Sequence, residues 1–399
     1  MEKPVVAVEF GSKKMKLVVG YELEGQVYVI YSLVRPYGHI IEDGQIIDPT
    51  KIIQSMKEIR NFSDPSAQLK LNIGEVLLAL PPFGLKIYTS QQITTVINED
   101  SVITKTDIRN VHALIRNGAL PNGNSLIDIV PVFYELTEGR RFTNPPLGQV
   151  SQTVRVGAMV HTLPKWIPES YDAVVTPAGM NVKRNIVAPF GASVLLGSYP
   201  DLPVNYLLVD IGATITTVSL VGEKRLYGST YFSWGGDNIT ERIIEKFNIN
   251  ESDAERLKFT YGIDNRVMHF KAPVCRSNDG EGSEIKHYTD ELNQIIKDEL
   301  TIFVKELEDA VGELLKEYDL QSRGLPMILV GGGAQLKGLK EFVEPKVQSE
   351  SVQIVVPRNL GARDPTFTNV LGLILANQSN PSVYDENHPR VGQVTRDEN

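Results

Sequence analysis

Two short stretches decide how this chain folds: Val6-Ala-Val-Glu9-Phe-Gly11-Ser12, continued by Lys16-Leu-Val-Val19, and Leu208-Val-Asp210-Ile-Gly212-Ala213, continued by Thr217-Val-Ser-Leu220. Each reads as an apolar strand that ends in an acid, turns on a glycine and returns as a second apolar strand, which is a β-hairpin with an acid and a glycine at its tip. The acids and the glycines of the two copies are each 201 positions apart (210 − 9 and 212 − 11). Two copies of one hairpin at that distance predict two pseudo-equivalent domains, and 399 residues exceed what one hydrophobic core usually holds.

Between and after the hairpins, strand-like runs (26–33, 75–80, 153–161) alternate with helical ones (50–60, 105–116), which predicts an α/β architecture. The stretch from about Pro82 to Leu163 holds an alternating strand (87–96), a helix with Asp107 near its start and further strands. It reads as a small inserted α+β unit punctuated by Pro81-Pro82 and Pro145-Pro146. Residues 290–318 place Ile295, Ile296, Leu300, Phe303, Val304, Leu307, Val311, Leu314 and Leu315 at helical spacing, predicting a long amphipathic helix whose apolar stripe is core. After Asn377 the sequence is polar, with Pro381 and Pro389 and no periodic face, and is expected to be disordered.

The composition narrows the function. Forty basic against 49 acidic residues give a formal charge of −9, which argues against a general nucleic-acid surface. Cys275 is the only cysteine, so neither an internal disulfide nor a multi-cysteine metal site can form, and a reducing cytoplasm is expected. The six histidines show no metal-binding spacing. No apolar run approaches the ~18 residues of a membrane span.

The hairpin tips are candidates for holding phosphate. Backbone N–H groups can approach an anion closely where no side chain intervenes, and Gly11-Ser12 and Gly212-Ala213 meet that need. Glu9 and Asp210 suit Mg²⁺ held beside the phosphates through coordinated water, and Lys14 suits the β- or γ-phosphate. A third piece, Ile328-Leu-Val-Gly331-Gly332-Gly333-Ala334-Gln335, is a strand running into glycines before a helix, where a nucleotide can lie against bare backbone. A fourth, Trp234-Gly235-Gly236-Asp237, again joins a strand end to a helix. Further on, Glu255 and Lys258 stand three apart on one helical face, placed for a ribose hydroxyl and an adenine edge. Taken singly each piece is a common turn or a surface ion pair, so the argument rests on their joint occurrence.

In that order the four pieces resemble the signature of the actin, Hsp70 and sugar-kinase ATPase superfamily, and over residues 4 to 377 the chain resembles most the FtsA family of bacterial cell-division proteins. Supporting stretches are Gly44-Gln-Ile-Ile-Asp48, Ala188-Pro-Phe-Gly-Ala-Ser193, Gly235-Gly-Asp-Asn-Ile-Thr240, Ala254-Glu-Arg-Leu-Lys-Phe-Thr-Tyr-Gly262 and Gly331-Gly-Gly-Ala-Gln-Leu-Lys-Gly338. The resemblance implies a bilobed actin-like fold of duplicated ribonuclease H-like domains. Residues 1–82, 164–200 and 345–378 would form lobe 1 (subdomain 1A), with 83–163 inserted as subdomain 1C. Residues 201–236 and 325–344 would form lobe 2 (subdomain 2A), with 237–324 as subdomain 2B, and 379–399 would be a tail.

ATP and Mg²⁺ are the implied ligands, with Glu9, Gly11, Ser12, Lys14, Asp210, Gly212, Ala213, Thr214, Thr216, Gly235, Gly236, Glu255, Lys258, Gly332 and Gly333 as site residues and Asp210 as the water-mediated metal residue. The implied role is a polymerising adaptor at the inner face of the cytoplasmic membrane, at the division site. It would bind the C-terminal tail of the tubulin-like protein FtsZ through subdomain 2B, other division proteins through subdomain 1C, and copies of itself in filaments. At most slow ATP hydrolysis is implied. An adaptor similar to the pilus-assembly protein PilM and a small-molecule kinase are the alternatives on the same fold.

The chain departs from the family pattern in several places. Glu9 stands where Asp is usual, and Lys13 stands beside the expected Lys14. Gly212-Ala-Thr-Ile-Thr-Thr217 replaces a Gly-Gly-Gly-Thr-Thr-Asp run, and Thr214 and Ile215 restrict that turn, which argues against efficient hydrolysis. Glu299 stands about where the family has an arginine in its FtsZ-facing subdomain, so partner recognition is expected to differ. Residues 391–399 offer no apolar face for lipid, so peripheral membrane contact would need an anchor beyond Asn399.

Overall fold

In the computed structural model, residues 4–64, 69–70, 72–264, 271–278, 284–320 and 324–378 are described. The expected polar tail after Asn377 lies almost wholly outside them. The first hairpin is built from strands Val5–Phe10 and Lys14–Leu23, the second from Asn205–Ile211 and Thr216–Gly222. Their pairing is equivalent: Phe10 faces Met15 and Glu9 faces Lys16 in one, Ile211 faces Thr216 and Asp210 faces Thr217 in the other. The turns match as well, with Gly11 N donating to Lys14 O at 3.0 Å and Gly212 N to Ile215 O at 2.9 Å.

The duplication extends to whole sheets. In lobe 1, the hairpin continues into antiparallel Gln26–Pro36 on one side. On the other side lie two parallel strands, Glu75–Leu80 and Asn181–Val187. In lobe 2, antiparallel Arg225–Phe232 and parallel Met327–Val330 and Val352–Ile354 take the same places. Both sheets therefore bury apolar strands on two faces, as sheets with parallel crossovers must. The fold class expected from the sequence, an actin-like bilobed α/β fold, is what the chain adopts.

Lobe 1 packs its sheet against helices Pro49–Arg60, Trp166–Val175, Ala188–Leu196 and Thr368–Gln378. The last two cross so closely that a Cβ on Gly372 would strike the backbone of Gly191. Lobe 2 packs against helices Gly236–Phe247, Glu251–Tyr261 and Thr289–Lys316. The apolar stripe of the long helix, Ile295 to Leu315, is buried as its spacing predicts.

Between strands Glu75–Leu80 and Asn181–Val187 the chain makes a further antiparallel sheet, ordered Arg141–Phe142, Asn124–Leu136, Thr153–Pro164, Lys86–Thr95. Helix Lys105–Arg116 covers it and starts at a capping box, Thr104 N donating to Asp107 Oδ2 at 2.8 Å. This sheet has its own apolar cluster around Ile108, Val111 and Tyr134, while the near ends of its strands, at Ile127, Val130 and Met159, join the core of lobe 1. The junction is fixed by buried Arg184, whose Nη2 donates to both carboxylate oxygens of Asp128 at 3.0 and 2.8 Å. Its Nη1 donates to Ala376 O at 2.9 Å, at the end of the last helix.

Candidate functional site

The hairpin tips meet across a cleft between the lobes, and a cavity of about 960 Å³ opens around them. Strand twist and register place Glu9 and Asp210, the last but one residues of equivalent strands, on its floor. They are bridged: Asn369 Nδ2, in the first turn of helix Thr368–Gln378, donates to Glu9 Oε1 at 3.1 Å and to Asp210 Oδ2 at 2.8 Å. Lys16 Nζ, opposite Glu9 in the hairpin register, donates to the same Glu9 Oε1 at 3.1 Å.

This cluster is largely shielded from water, so its charges act on one another strongly. Burial pushes the Glu9 carboxyl above its ordinary range; the Lys16 ammonium opposes this, while Asp210 adds to it. Burial works against the Lys16 ammonium, but Glu9 and Asp210 outweigh it and hold the amine above its usual value. Glu9 Oε2 and Asn369 Oδ1 are buried with no hydrogen-bond partner in the protein. Buried oxygens left this way suit a cation or its coordinated water. Among the described residues no three His, Cys, Asp or Glu side chains converge to ligate a metal directly, so a magnesium ion would fit here through water and a ligand's own oxygens.

Of the residues expected from the sequence, Glu9, Gly11, Ser12, Lys14, Asp210, Gly212, Ala213, Gly236, Glu255, Lys258, Gly332 and Gly333 line the cavity. Thr214, Thr216 and Gly235 do not. Thr214 instead bonds Ser12, hydroxyl to hydroxyl, at 2.7 Å. Thr216 is fully buried and donates to Trp234 O at 2.8 Å. Gly235 lies so close to the second turn that a Cβ there would strike the Ala213 carbonyl. Its role is to let the helix start dock on the hairpin, where Gly236 N donates to Gly212 O at 3.0 Å and Asp237 N to Ala213 O at 2.8 Å. Both N–H groups at this helix start are thus spent on the hairpin.

One further reading is corrected. The glycines 331–333 do not open an α-helix; they form a 3-10 turn over Gly332–Gln335, and the short helix begins only at Leu339. Gly331 is nonetheless required as glycine, with φ of 85° and Asp210 Oδ1 where a Cβ would lie. Lys258 is 3% exposed, and its ammonium is taken up by Glu255, by Thr240 Oγ1 at 2.7 Å and by Gly236 O at 3.0 Å. Burial lowers the Lys258 pKa against the pull of Glu255, whose own carboxyl is held low by Lys258 despite burial. The pair therefore fixes helix Glu251–Tyr261 to the helix start at Gly236 as well as lining the cavity.

Sequence reasoning missed Lys16 and Asn369. The first had a signal, since a hairpin turning on Gly11 to Lys14 sets Lys16 directly across from Glu9. Asn369 had none, because only the tertiary fold carries a residue 360 positions away to Glu9.

Comparison with known proteins agrees with this fold. The family described as "Cell division protein FtsA" matches residues 207–372. Among curated relatives, FtsA of Enterococcus faecalis is 23% identical over 92% of this chain and 82% of its own length. FtsA of Buchnera aphidicola is 24% identical over 92% and 87%. Among solved structures, the PilM-PilN type IV pilus biogenesis complex is similar with a TM-score of 0.60 and 20% identity, covering 93% of this chain and 98% of that one. MreB5 of Spiroplasma citri bound to ADP is similar with a TM-score of 0.55 and 16% identity over 97% and 99%. The matched segment begins in the second hairpin and runs through Asn369, so it takes in lobe 2's half of the cleft and the residue that bridges its floor. By sequence this chain is related to the cell division protein FtsA, and by structure it has the actin-like fold.

Proposed function

We propose that the cleft binds ATP with Mg²⁺, the phosphates lying between the hairpin tips and the adenosine against Gly332, Gly333, Glu255 and Lys258. The observation that carries this reading is the pair of acids on equivalent strands, Glu9 and Asp210, joined by Asn369 at the floor of a cavity of about 960 Å³. That volume is at the upper end of the usual range for small-molecule sites between domains. The relation to a solved structure with bound ADP supports the choice of nucleotide. Glu9, Gly11, Ser12, Lys14, Asp210, Gly212 and Ala213 would hold the phosphate end, and Lys16 would offset the charge that gathers there.

On this basis the chain acts as a nucleotide-dependent adaptor of the division machinery. Lobe 2's outer part (237–324) would take the FtsZ tail, the inserted sheet (83–163) other division proteins, and like chains would assemble into filaments beside the membrane. The supports are the FtsA relatives and the actin-like fold. Among the described residues no helix is long and apolar enough to cross a membrane.

Equilibrium binding of a fluorescent ATP analogue tests the site. Wild type should bind with a magnesium dependence that Asp210→Ala loses; equal affinity for both would remove Asp210 from the metal role, and no binding by wild type would remove the cleft from this one. Co-purification then separates the adaptors: capture of the FtsZ tail supports the division role, whereas capture of a pilus membrane protein's tail replaces it with a PilM-like one. Phosphate transfer to sugars or polyols would replace both with a kinase.

A further inference from the structure

The cleft is spanned by a cation that the protein itself supplies. Lys13 stands in the turn of the first hairpin, on lobe 1, and its ammonium lies 2.7 Å from Asp237 Oδ2 and 2.7 Å from Glu251 Oε1. Both acids belong to lobe 2, one in the first turn of helix Gly236–Phe247 and the other at the start of helix Glu251–Tyr261. A carboxylate at a helix start is favoured by the helix dipole, and both stand where Lys13 can reach them.

The pair with Asp237 is the stronger of the two. Its side chains are 21% and 9% exposed, while that of Glu251 is 61% exposed. Burial alone would lower the Lys13 pKa, yet the two carboxylates hold it above the ordinary lysine value. Lys13, Asp237 and Glu251 all line the cavity, and next to them the Ser12 and Thr214 hydroxyls close the gap between the tips at 2.7 Å.

We propose that Lys13 is a built-in clamp: by bridging the first hairpin to the two helix starts of lobe 2 it keeps the cleft closed with no ligand present. A ligand that fills the space between the tips must first displace it. The second clause rests on the nucleotide reading given above; the first does not.

The test uses the full chain without nucleotide. Spin labels are placed at Lys57→Cys on lobe 1 and Lys246→Cys on lobe 2 in a Cys275→Ser background, and the distance between them is measured by pulsed electron resonance. The wild-type clamp should give one narrow distance at low salt. Lys13→Ala should add a longer, broader component, with the open fraction rising on the order of fivefold, the scale of a partly exposed ion pair of about 1 kcal/mol. Glu251→Gln should act in the same direction more weakly, and 1 M salt should move wild type towards Lys13→Ala. Arg256→Ala, an exposed charge on the same helix, serves as the control and should leave the distribution unchanged. A wild-type distribution that is already broad, or a Lys13→Ala distribution identical to wild type, overturns the proposal. No nucleotide enters the measurement, so either failure leaves the binding reading standing.

Discussion

The hydroxyls of Ser12 and Thr214, 202 positions apart in the chain, are hydrogen-bonded at 2.7 Å where the two hairpin tips meet. Neither residue belongs to the core of its own lobe, so the bond reports lobe closure. A double-mutant cycle with Ser12→Ala and Thr214→Val should give a coupling of about 1 kcal/mol in urea unfolding, the usual worth of such a bond. A coupling of zero would mean that the tips do not touch in solution.

Asn369→Leu is expected to be more damaging. It leaves Glu9 and Asp210 facing each other without the amide between them, and costs about 1–3 kcal/mol of stability as buried acceptors lose their donor. The measurement is a urea midpoint with unchanged slope. Asn369→Asp should be worse than Asn369→Leu, because it adds a third acid to the cluster. The reverse order would show that shape rather than charge governs the position.

Removing Lys16 strands a buried carboxylate. Lys16→Met should destabilise the protein by about 3–5 kcal/mol at neutral pH, the cost of breaking one side of a buried ion pair. The companion Lys16→Met/Glu9→Gln should recover much of that loss. Failure of the double variant to recover would place the role of Lys16 in packing.

Arg184 binds the inserted sheet to lobe 1 through Asp128 and reaches the end of the last helix. Arg184→Met should cost about 3–5 kcal/mol by leaving Asp128 buried without its counter-charge. Faster hydrogen exchange should appear in strand Asn124–Leu136 and helix Thr368–Gln378 together. Exchange raised in one of these elements alone would refute the linkage.

Two buried histidines make the fold sensitive to acid. Burial lowers the pKa of His161 to about 4, with Asp128 opposing and Arg184 adding, and burial lowers that of His112 to about 4, with Arg116 adding. A depressed folded-state pKa means the unfolded chain binds the proton more readily. Stability is therefore fully present above the ordinary value near 6.5 and is lost as pH falls towards about 4. Over that window each histidine accounts for a loss of about 3 kcal/mol. His161, packed edge-on against Phe190, can be replaced by Phe, and the acid slope of His161→Phe should fall by about one proton. An unchanged slope would assign the acid sensitivity elsewhere.

Much of the fold was legible because it is written twice. The acid, the glycine and the apolar runs on either side of them recur at a fixed offset, and local hairpin geometry follows directly from such a pattern. The stripe from Ile295 to Leu315 was legible for a similar reason, since helical periodicity is itself local. What escaped was the second use of each glycine. Gly235 spends its missing side chain on docking against Ala213, and the 331–333 run forms a 3-10 turn under Asp210. Those demands arise from neighbours distant in sequence, and a glycine looks the same whether it faces a ligand or another strand. Thr216, which only the family resemblance implied as a site residue, is buried and satisfies a buried carbonyl, a partner the local sequence does not show.

Asn369 also gives the cleft an order of assembly. A ribosome delivers Glu9 first, Asp210 some two hundred residues later, and the amide that reconciles them only as helix Thr368–Gln378 emerges. Until then the two nascent lobes carry their acids without the amide that bridges them, and the last helix must slot beside Ala188–Leu196 before the floor is whole. A polypeptide released early would lack both the helix whose apolar side chains fill the core of lobe 1 and the amide that joins the two acids.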